Sequence, residues 1–491
     1  MVQQRNGDEV GLLDSSIRTA GGALVSTPLY VLSGLVYAAV ISPAAAGTFF
    51  FVSIAIALGL RPVRGVSQAL QKLGSEPGER VGSYLGVALL ATAGYLLAGG
   101  AGALLITDVL ARRTVFTAEL LVPAGLYAAS LSVSIVVSSL VGAIGYPSAQ
   151  TWLGGAMLGA QLLLVVTFDA VVTSAAALLL VSAGVRFALF VPVGVALGVV
   201  PRVPDRHAVD RAWTFARWSV PDQILDRFSY NMPVFVLGVV GTPAAVGIYE
   251  AADRFADFGA TISWRLSSPL LTKVSGDVAA GNGYDTYLRG AVTGGTGATF
   301  VVFGYLIGAH DVVARIAFAD ARWAFSTTVL LVGGVNVLRG FWTLTSHAME
   351  GLGKPSVSFR TKLYGLVASV PITALFGAEF GAVAGAVGYG VMNLVVFGAV
   401  CHYARDVFGY VPVDAETVAH LTLGGLVAAS LTASVVAVAT GTPLPTPGVA
   451  AAAAVAGLGG FSAVLLAVSP PTRVAAHRVV AMVWGRGGRT P

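Results

Sequence analysis

Four ionisable residues, Glu250, Asp253, Arg254 and Asp257, stand at i, i+3, i+4 and i+7 inside an otherwise apolar stretch. That spacing puts them on one face of a helix. Arg265 follows on the same stretch, Asp226 and Arg227 interrupt the apolar stretch before it, and Arg61 and Arg64 lie on a much earlier one. Arg186 and Arg339 stand singly in two more. A guanidinium stays charged and grips phosphate oxygens as a bidentate fork. A carboxylate in low dielectric has its proton affinity raised by desolvation and lowered by a neighbouring arginine, so it can exchange a proton or a cation. Two readings follow. Either these groups are permanent ion pairs between helices, Asp226 with Arg254 or Arg227 with Asp257. Or they line a polar path, in which Arg61, Arg64, Arg227, Arg254, Arg265 and Arg339 hold an anion while Asp226, Glu250, Asp253 and Asp257 couple or gate. For Arg61, Arg64 and Arg265 a third reading is snorkelling to the membrane interface.

The elements that position these groups are membrane helices. Of 491 residues, 56% are hydrophobic and only 11% charged, and the mean hydropathy is +0.80. That is more apolar surface than a soluble core of this length buries. Against this background the charges between Trp218 and Ser275 are costly unless they face a partner or a water-filled cavity. The two halves of that segment meet at the short turn Gly241-Thr242-Pro243, and each is about long enough to span a bilayer.

Apolar runs predict an all-α polytopic protein with fourteen spans, near residues 19–41, 45–69, 82–106, 118–142, 148–168 and 170–198, then 218–241, 244–272, 285–309, 324–349, 356–378 and 380–404, then 416–440 and 446–469. The implied organisation is a six-helix lobe over 1–199, a charged and proline-rich linker over 200–217, a second six-helix lobe over 218–404, and two extra helices with a basic tail over 405–491. Lys72, Arg80, Arg202, Arg206, Lys273, Arg289, Lys354 and Arg405 fall on one side of this scheme, with many others; only Arg112, Arg113, Arg315 and Arg322 fall on the other. The positive-inside bias therefore puts both termini in the cytoplasm. Topology and anionic headgroups account for the net charge of +5, so no nucleic-acid partner is needed. Membrane lipids are the surroundings this charge pattern fits.

The chain also repeats. Tyr30 to Gly47 lies over Tyr230 to Gly247, matching Pro43 with Pro243 and Gly47 with Gly247. Ala143-Ile-Gly-Tyr-Pro-Ser148 resembles Gly351-Leu-Gly-Lys-Pro-Ser356, and Phe168-Asp-Ala-Val171 resembles Phe380-Gly-Ala-Val383, each of the last two opening a sixth helix in this reading. A repeat of six spans returns to its starting side, so the halves are parallel and related by an axis along the membrane normal. The charges are not repeated: Glu250, Asp253, Arg254 and Asp257 overlie Phe50, Ser53, Ile54 and Ala57. Such asymmetry is expected of a cleft whose ligand has two unlike ends.

Two parallel six-helix halves, Pro243-Ala-Ala-Val-Gly-Ile-Tyr-Glu-Ala-Ala-Asp-Arg-Phe255 with Gly247, Tyr249 and Ala252 as its pattern, the Gly351-Leu-Gly-Lys-Pro355 loop and the small-residue run Gly381 to Gly390 resemble the polysaccharide transporter family. The resemblance spans the whole chain. It implies two lobes in a V-shaped arrangement, with two C-terminal helices added as in some members, working by alternating access. It further implies a polyprenyl- or dolichol-linked oligosaccharide as cargo, flipped toward the outer leaflet for surface polysaccharide or glycoprotein glycan assembly. A single chain in the cell membrane, alongside the glycosyltransferases or polymerase of its pathway, is the matching picture. The multidrug and toxin extruders and the lipid II flippases belong to the same superfamily.

Other classes fit less well. No loop is long enough for a sugar-binding domain, which argues against a membrane glycosyltransferase or glycan polymerase. No phosphate-cradling glycine loop with Lys and Ser or Thr is present, so direct ATP hydrolysis is excluded. Cys401 is the only cysteine and the six histidines lack ligand spacing, so neither a disulfide framework, a metal site nor any other cofactor is expected. A cation-coupled multidrug exporter is the nearest rival, and a non-transporting scaffold for glycan enzymes would leave the intramembrane charges unexplained.

Overall fold

The computed structural model describes residues 12–74, 80–113, 116–279, 283–352, 354–439 and 446–468. Among them the regular structure is helical throughout: α1 Leu12–Val40, α2 Pro43–Gly59, α3 Arg61–Gly74, α4 Val81–Arg113, α5 Leu121–Ala143, α6 Pro147–Thr167, α7 Ala175–Ala196, α8 Arg206–Val240, α9 Pro243–Ala279, α10 Asp285–Ala317, α11 Arg322–Gly351, α12 Pro355–Phe380, α13 Ala382–Phe408, α14 Ala415–Ala439 and α15 Thr446–Val468. Two short 3₁₀ turns precede α5 and α11. The basic C-terminal tail and Gly353 of the Gly351 to Pro355 loop lie outside the described residues. Among the described residues ten helices carry a segment long and apolar enough to cross a membrane, eleven if the bent pair α2–α3 is one crossing. The chain is a multi-pass membrane protein.

Three local expectations need correction. The span expected over 45–69 is broken, because α2 and α3 meet at an angle of 53°. Pro62 lacks an N–H and its ring crowds the preceding turn, which favours a break at this point. The break moves Arg61 and Arg64 onto α3, which packs on α4, α5 and α8. Second, the linker over 200–217 is extended only as far as Asp205, whose carboxylate accepts the Ala208 N–H at 2.8 Å and caps α8. At 35 residues α8 is about 52 Å long, well beyond a hydrocarbon core of about 30 Å. Third, Phe168 closes α6 rather than opening α7, which starts after the Ser174 cap. In the second half, Phe380 ends α12 and Gly381, at φ 53°, lets α13 begin at once.

The repeat is visible at its strongest matches. Pro43 and Pro243 each open a helix behind a hydroxyl cap: Ser42 Oγ accepts from the Ala45 N–H and Thr242 Oγ1 from the Ala245 N–H, both at 3.2 Å. Pro147 and Pro355 likewise open α6 and α12, where a missing N–H costs nothing. The first turns of α2 and α9 cross at their glycines. A Cβ on Gly47 would lie 1.8 Å from the Pro243 carbonyl oxygen, and a Cβ on Gly247 would lie 1.9 Å from that of Pro43. The contact is reciprocal.

The chain forms two compact units. The first holds the described residues up to Ala251 together with Thr373–Gly385; the second holds Ala252–Ile372 and the described residues from Ala386 onward. In the first, α1 packs on α6, α5 on α7, and α3 against α5 and α8, around Leu70, Tyr84, Leu140 and Ala212. In the second, α10 packs on α11, α14 and α15, and Leu270, Val292, Leu344 and Phe461 share its core. Close backbone crossings in this unit use glycine, as where Gly304 meets the Gly425 carbonyl and Gly308 that of Ala429.

Candidate functional site

In the first unit the described candidate groups are three arginines and one buried acid. Arg61 and Arg64 stand at the start of α3 and Arg227 on α8. Arg64 is accessible although protein surrounds it on most sides, and it lies within electrostatic reach of Arg227. Two like charges held this near repel one another and favour an anion between or beside them. Arg227 is half-buried; its guanidinium stands 5.4 Å from the ring centroid of Tyr230, and its Nε has no hydrogen-bond partner. The Asn231 amide donates to the Arg227 carbonyl oxygen at 2.8 Å, so it supports the helix and leaves the guanidinium untouched. Glu250, 4% exposed, is the buried acid of α9 in this unit and is engaged by partners.

In the second unit the described candidate groups are an acidic pair, Arg254 and an arginine bound to one of the acids. Asp253 and Asp257 on α9 are both buried. Arg339 Nη1 of α11 donates to Asp257 Oδ1 at 2.6 Å, with both side chains largely enclosed. A short charge-assisted bond of this kind is strong, and deleting one partner leaves the other charge buried alone at a cost of about 3–5 kcal/mol. Thr261 Oγ1, which donates to the Asp257 carbonyl oxygen at 3.0 Å, lies 3.5 Å from the second carboxylate oxygen, Oδ2. Tyr389 of α13 sits within electrostatic reach of Arg339, Asp253 and Asp257. Below it, Trp342 Nε1 donates to Asn393 Oδ1 at 3.0 Å, and the Asn393 amide donates to the Tyr389 carbonyl oxygen at 2.8 Å.

Several of these residues escaped the sequence reading. Tyr389, Asn393 and Trp342 carry no charge, yet an asparagine inside an apolar span was a signal that was there to use. Asn336 is another: it stands on α11 one turn before Arg339 and is 1% exposed. Neither its amide oxygen nor its nitrogen has a hydrogen-bond partner. An orphaned buried polar group costs about 1–3 kcal/mol. Arg339, read from sequence as a possible grip for phosphate, is bound to Asp257. Arg254 and Asp253 are engaged by partners as well. The side chains of Asp226 and Arg265 lie outside the described residues, although α8 and α9 carry their backbones. Among the described residues no group of three or more His, Cys, Asp or Glu is placed to hold a metal ion.

No protein-family model matches the chain, and no curated protein matches it by sequence. Solved structures do. Lipid II flippase MurJ in an inward-closed conformation aligns over 94% of this chain and 100% of its own, with a TM-score of 0.70 at 12% identity. An inward-facing multidrug resistance transporter of the MATE family, within the MOP superfamily, aligns over 80% and 98%, with a TM-score of 0.62 at 17% identity. A MOP-superfamily transporter from Pyrococcus furiosus, described as having a binding pocket of reverse polarity, aligns over 83% and 97%, with a TM-score of 0.56 at 15% identity. These neighbours are transporters or flippases rather than enzymes, and at such identities the likeness is one of fold. The chain has the helical fold that lipid II flippase and the multidrug transporters of the MOP superfamily share.

Proposed function

We propose that this protein is a flippase that carries a lipid-linked oligosaccharide from the cytoplasmic to the outer leaflet by alternating access. The observation that carries the reading is the pairing of like charges in the first unit: Arg64 and Arg227 lie within reach of each other. Such a pairing suits the phosphate or pyrophosphate of a polyprenyl carrier, for which Arg61, Arg254 and Arg265 are the further arginine contacts in this reading. The full count of fourteen crossings adds α1, α8, α9 and the bent α2–α3 pair to the ten clearly apolar spans. The two halves, 1–199 and 218–404, act as lobes of one duplicated scaffold, with α14 and α15 as the added pair and both termini in the cytoplasm. Asp253 and Asp257 supply the coupling: a cation or proton that displaces Arg339 from Asp257 in one state and not in the other biases the exchange, because only differential affinity shifts an equilibrium. Asp226 and Glu250 act as further gating groups.

The same buried carboxylates favour a second reading, a cation-coupled multidrug exporter. Reconstituted vesicles separate the two. Under the flippase reading a fluorescent polyprenyl-pyrophosphoryl oligosaccharide crosses the bilayer, Arg227→Ala or Arg254→Ala abolishes crossing at unchanged expression, and organic cations are not exported. Export of organic cations without movement of the lipid-linked glycan would replace the first reading by the second. In cells, deletion should leave lipid-linked oligosaccharide in the cytoplasmic leaflet.

A further inference from the structure

Arg186 lies in α7 about 15 Å from either end of the helix, at the middle of its span. It is 8% exposed. Across the apolar spans 81–105, 121–143, 148–167 and 175–196 it is the single charged residue, and no Asp or Glu accompanies it there. Its contacts are with neutral groups. Nη1 donates to the Ser182 carbonyl oxygen and Nη2 to Tyr127 Oη, both at a long 3.3 Å. The guanidinium carbon stands 4.6 Å from the Tyr127 ring centroid, and Nε has no hydrogen-bond partner. Gln161 turns its amide nitrogen to Ser182 Oγ, so the hydroxyl accepts and keeps its own hydrogen. Tyr127 Oη likewise accepts from Arg186 and retains a hydrogen to donate. The cluster joins α5, α6 and α7 and is rich in donors and poor in acceptors. A buried guanidinium in hydrocarbon is expensive without a counter-charge, and α5, α6 and α7 contain none.

We infer that Arg186, with the Tyr127 hydroxyl beside it, is a mid-membrane subsite for an oxyanion brought by the cargo. The oxyanion is either a carboxylate on the glycan or a phosphate on the carrier. The cation–π seat on Tyr127 holds the guanidinium while the subsite is empty, and an arriving oxyanion takes the weakly used N–H groups as a charge-assisted fork. This inference deepens the flippase reading by adding a second anion-binding point, away from Arg64 and Arg227 on α3 and α8. The subsite itself is testable without any transport.

The test uses the full-length protein in nanodiscs of zwitterionic lipid. Phenylglyoxal modification of Arg186 is followed by peptide mass spectrometry with glucuronate, inorganic phosphate or glucose present at matched ionic strength. Glucuronate or phosphate should slow modification about tenfold at ten times its Kd, and glucose should not. The stronger protector identifies the source of the oxyanion. Tyr127→Phe, which keeps the ring, should weaken that protection, and Arg186→Lys should retain protein yield while the modified peptide disappears, which assigns the signal to Arg186. Arg186 that resists modification under every condition, or is modified as fast with either anion as with none, would overturn the inference. Protection at Arg186 together with no movement of lipid-linked glycan would sink the flippase reading and leave the subsite standing; movement without protection would do the reverse.

Discussion

The crossing of α2 and α9 offers the sharpest test of the repeat. Replacing Gly247 by Ala places a methyl 1.9 Å from the Pro43 carbonyl oxygen, and Gly47→Ala places one 1.8 Å from that of Pro243. Real Cβ atoms essentially never approach within 3.0 Å, and the obstacle here is backbone, not the tip of a flexible side chain. The two helix starts must part by about 1 Å, the kind of overpacking that costs about 1–3 kcal/mol. Because the contact is reciprocal, the two substitutions should cost similar amounts. The double substitution should cost less than their sum, since the separation forced by the first methyl makes room for the second. Gly99 on α4 supplies the control: nothing lies within 4 Å of a Cβ there, so Gly99→Ala should be neutral or stabilise by up to about 1 kcal/mol through helix propensity. Thermal unfolding of the purified variants in one detergent reads these differences. If Gly47→Ala and Gly247→Ala unfold like Gly99→Ala, the close crossing is wrong, and with it the two-fold relation of the halves. Cysteine labelling that placed the turns at Pro43 and Pro243 on opposite membrane faces would refute the same argument.

In the second unit, Asp257→Ala and Arg339→Ala should each destabilise by about 3–5 kcal/mol, and the double variant by clearly less than the sum; additive losses in a double-mutant unfolding cycle would show that the pair does not interact. Asp253→Asn or Asp257→Asn should leave binding of the cargo largely intact and remove any dependence of flipping on pH or sodium, and wild-type flipping already indifferent to both gradients would end the coupling argument. Arg64→Gln and Arg227→Gln should each weaken binding of farnesyl diphosphate about tenfold to a hundredfold, the value of a lost charged hydrogen bond, as read by calorimetry; unchanged affinity in both would remove phosphate capture from α3 and α8. At the membrane edge, the Thr417 hydroxyl and N–H, together with Arg289, hold the Asp414 carboxyl below the usual carboxylate range. Its contribution is therefore complete above the unfolded pKa of about 3.9 and is lost as pH falls through the lowered folded value. Asp414→Ala should remove the α14 cap at a cost of about 1 kcal/mol at neutral pH, and the gap to wild type should narrow in acid. Beside it, burial pushes the Tyr410 hydroxyl up to about 12, so it keeps its hydrogen for Asp285 through the neutral range.

What the sequence determined by itself was set by local chemistry and by repetition. A helix in hydrocarbon satisfies its own backbone, so apolar runs of sufficient length are legible without any partner. Pro43, Pro147, Pro243 and Pro355 mark helix starts because proline is favoured in the first turn, where its missing N–H costs nothing, and the Ser42 and Thr242 caps follow from the neighbouring residue alone. The face shared by Glu250, Asp253, Arg254 and Asp257 follows from helical spacing. Tertiary structure decided the rest. Pro62 was in plain view, yet whether it would kink the helix or be absorbed depended on α3 packing against α4, α5 and α8. Spacing put Asp257 on a face but could not say which helix it met, and the partner the fold supplied was Arg339, 82 residues away. Arg186 read as one arginine among many until α5 and α6 placed only neutral groups around it. In each case the sequence fixes a side chain's chemistry, whereas its neighbours come from helices remote in the chain and depend on packing that no local pattern encodes.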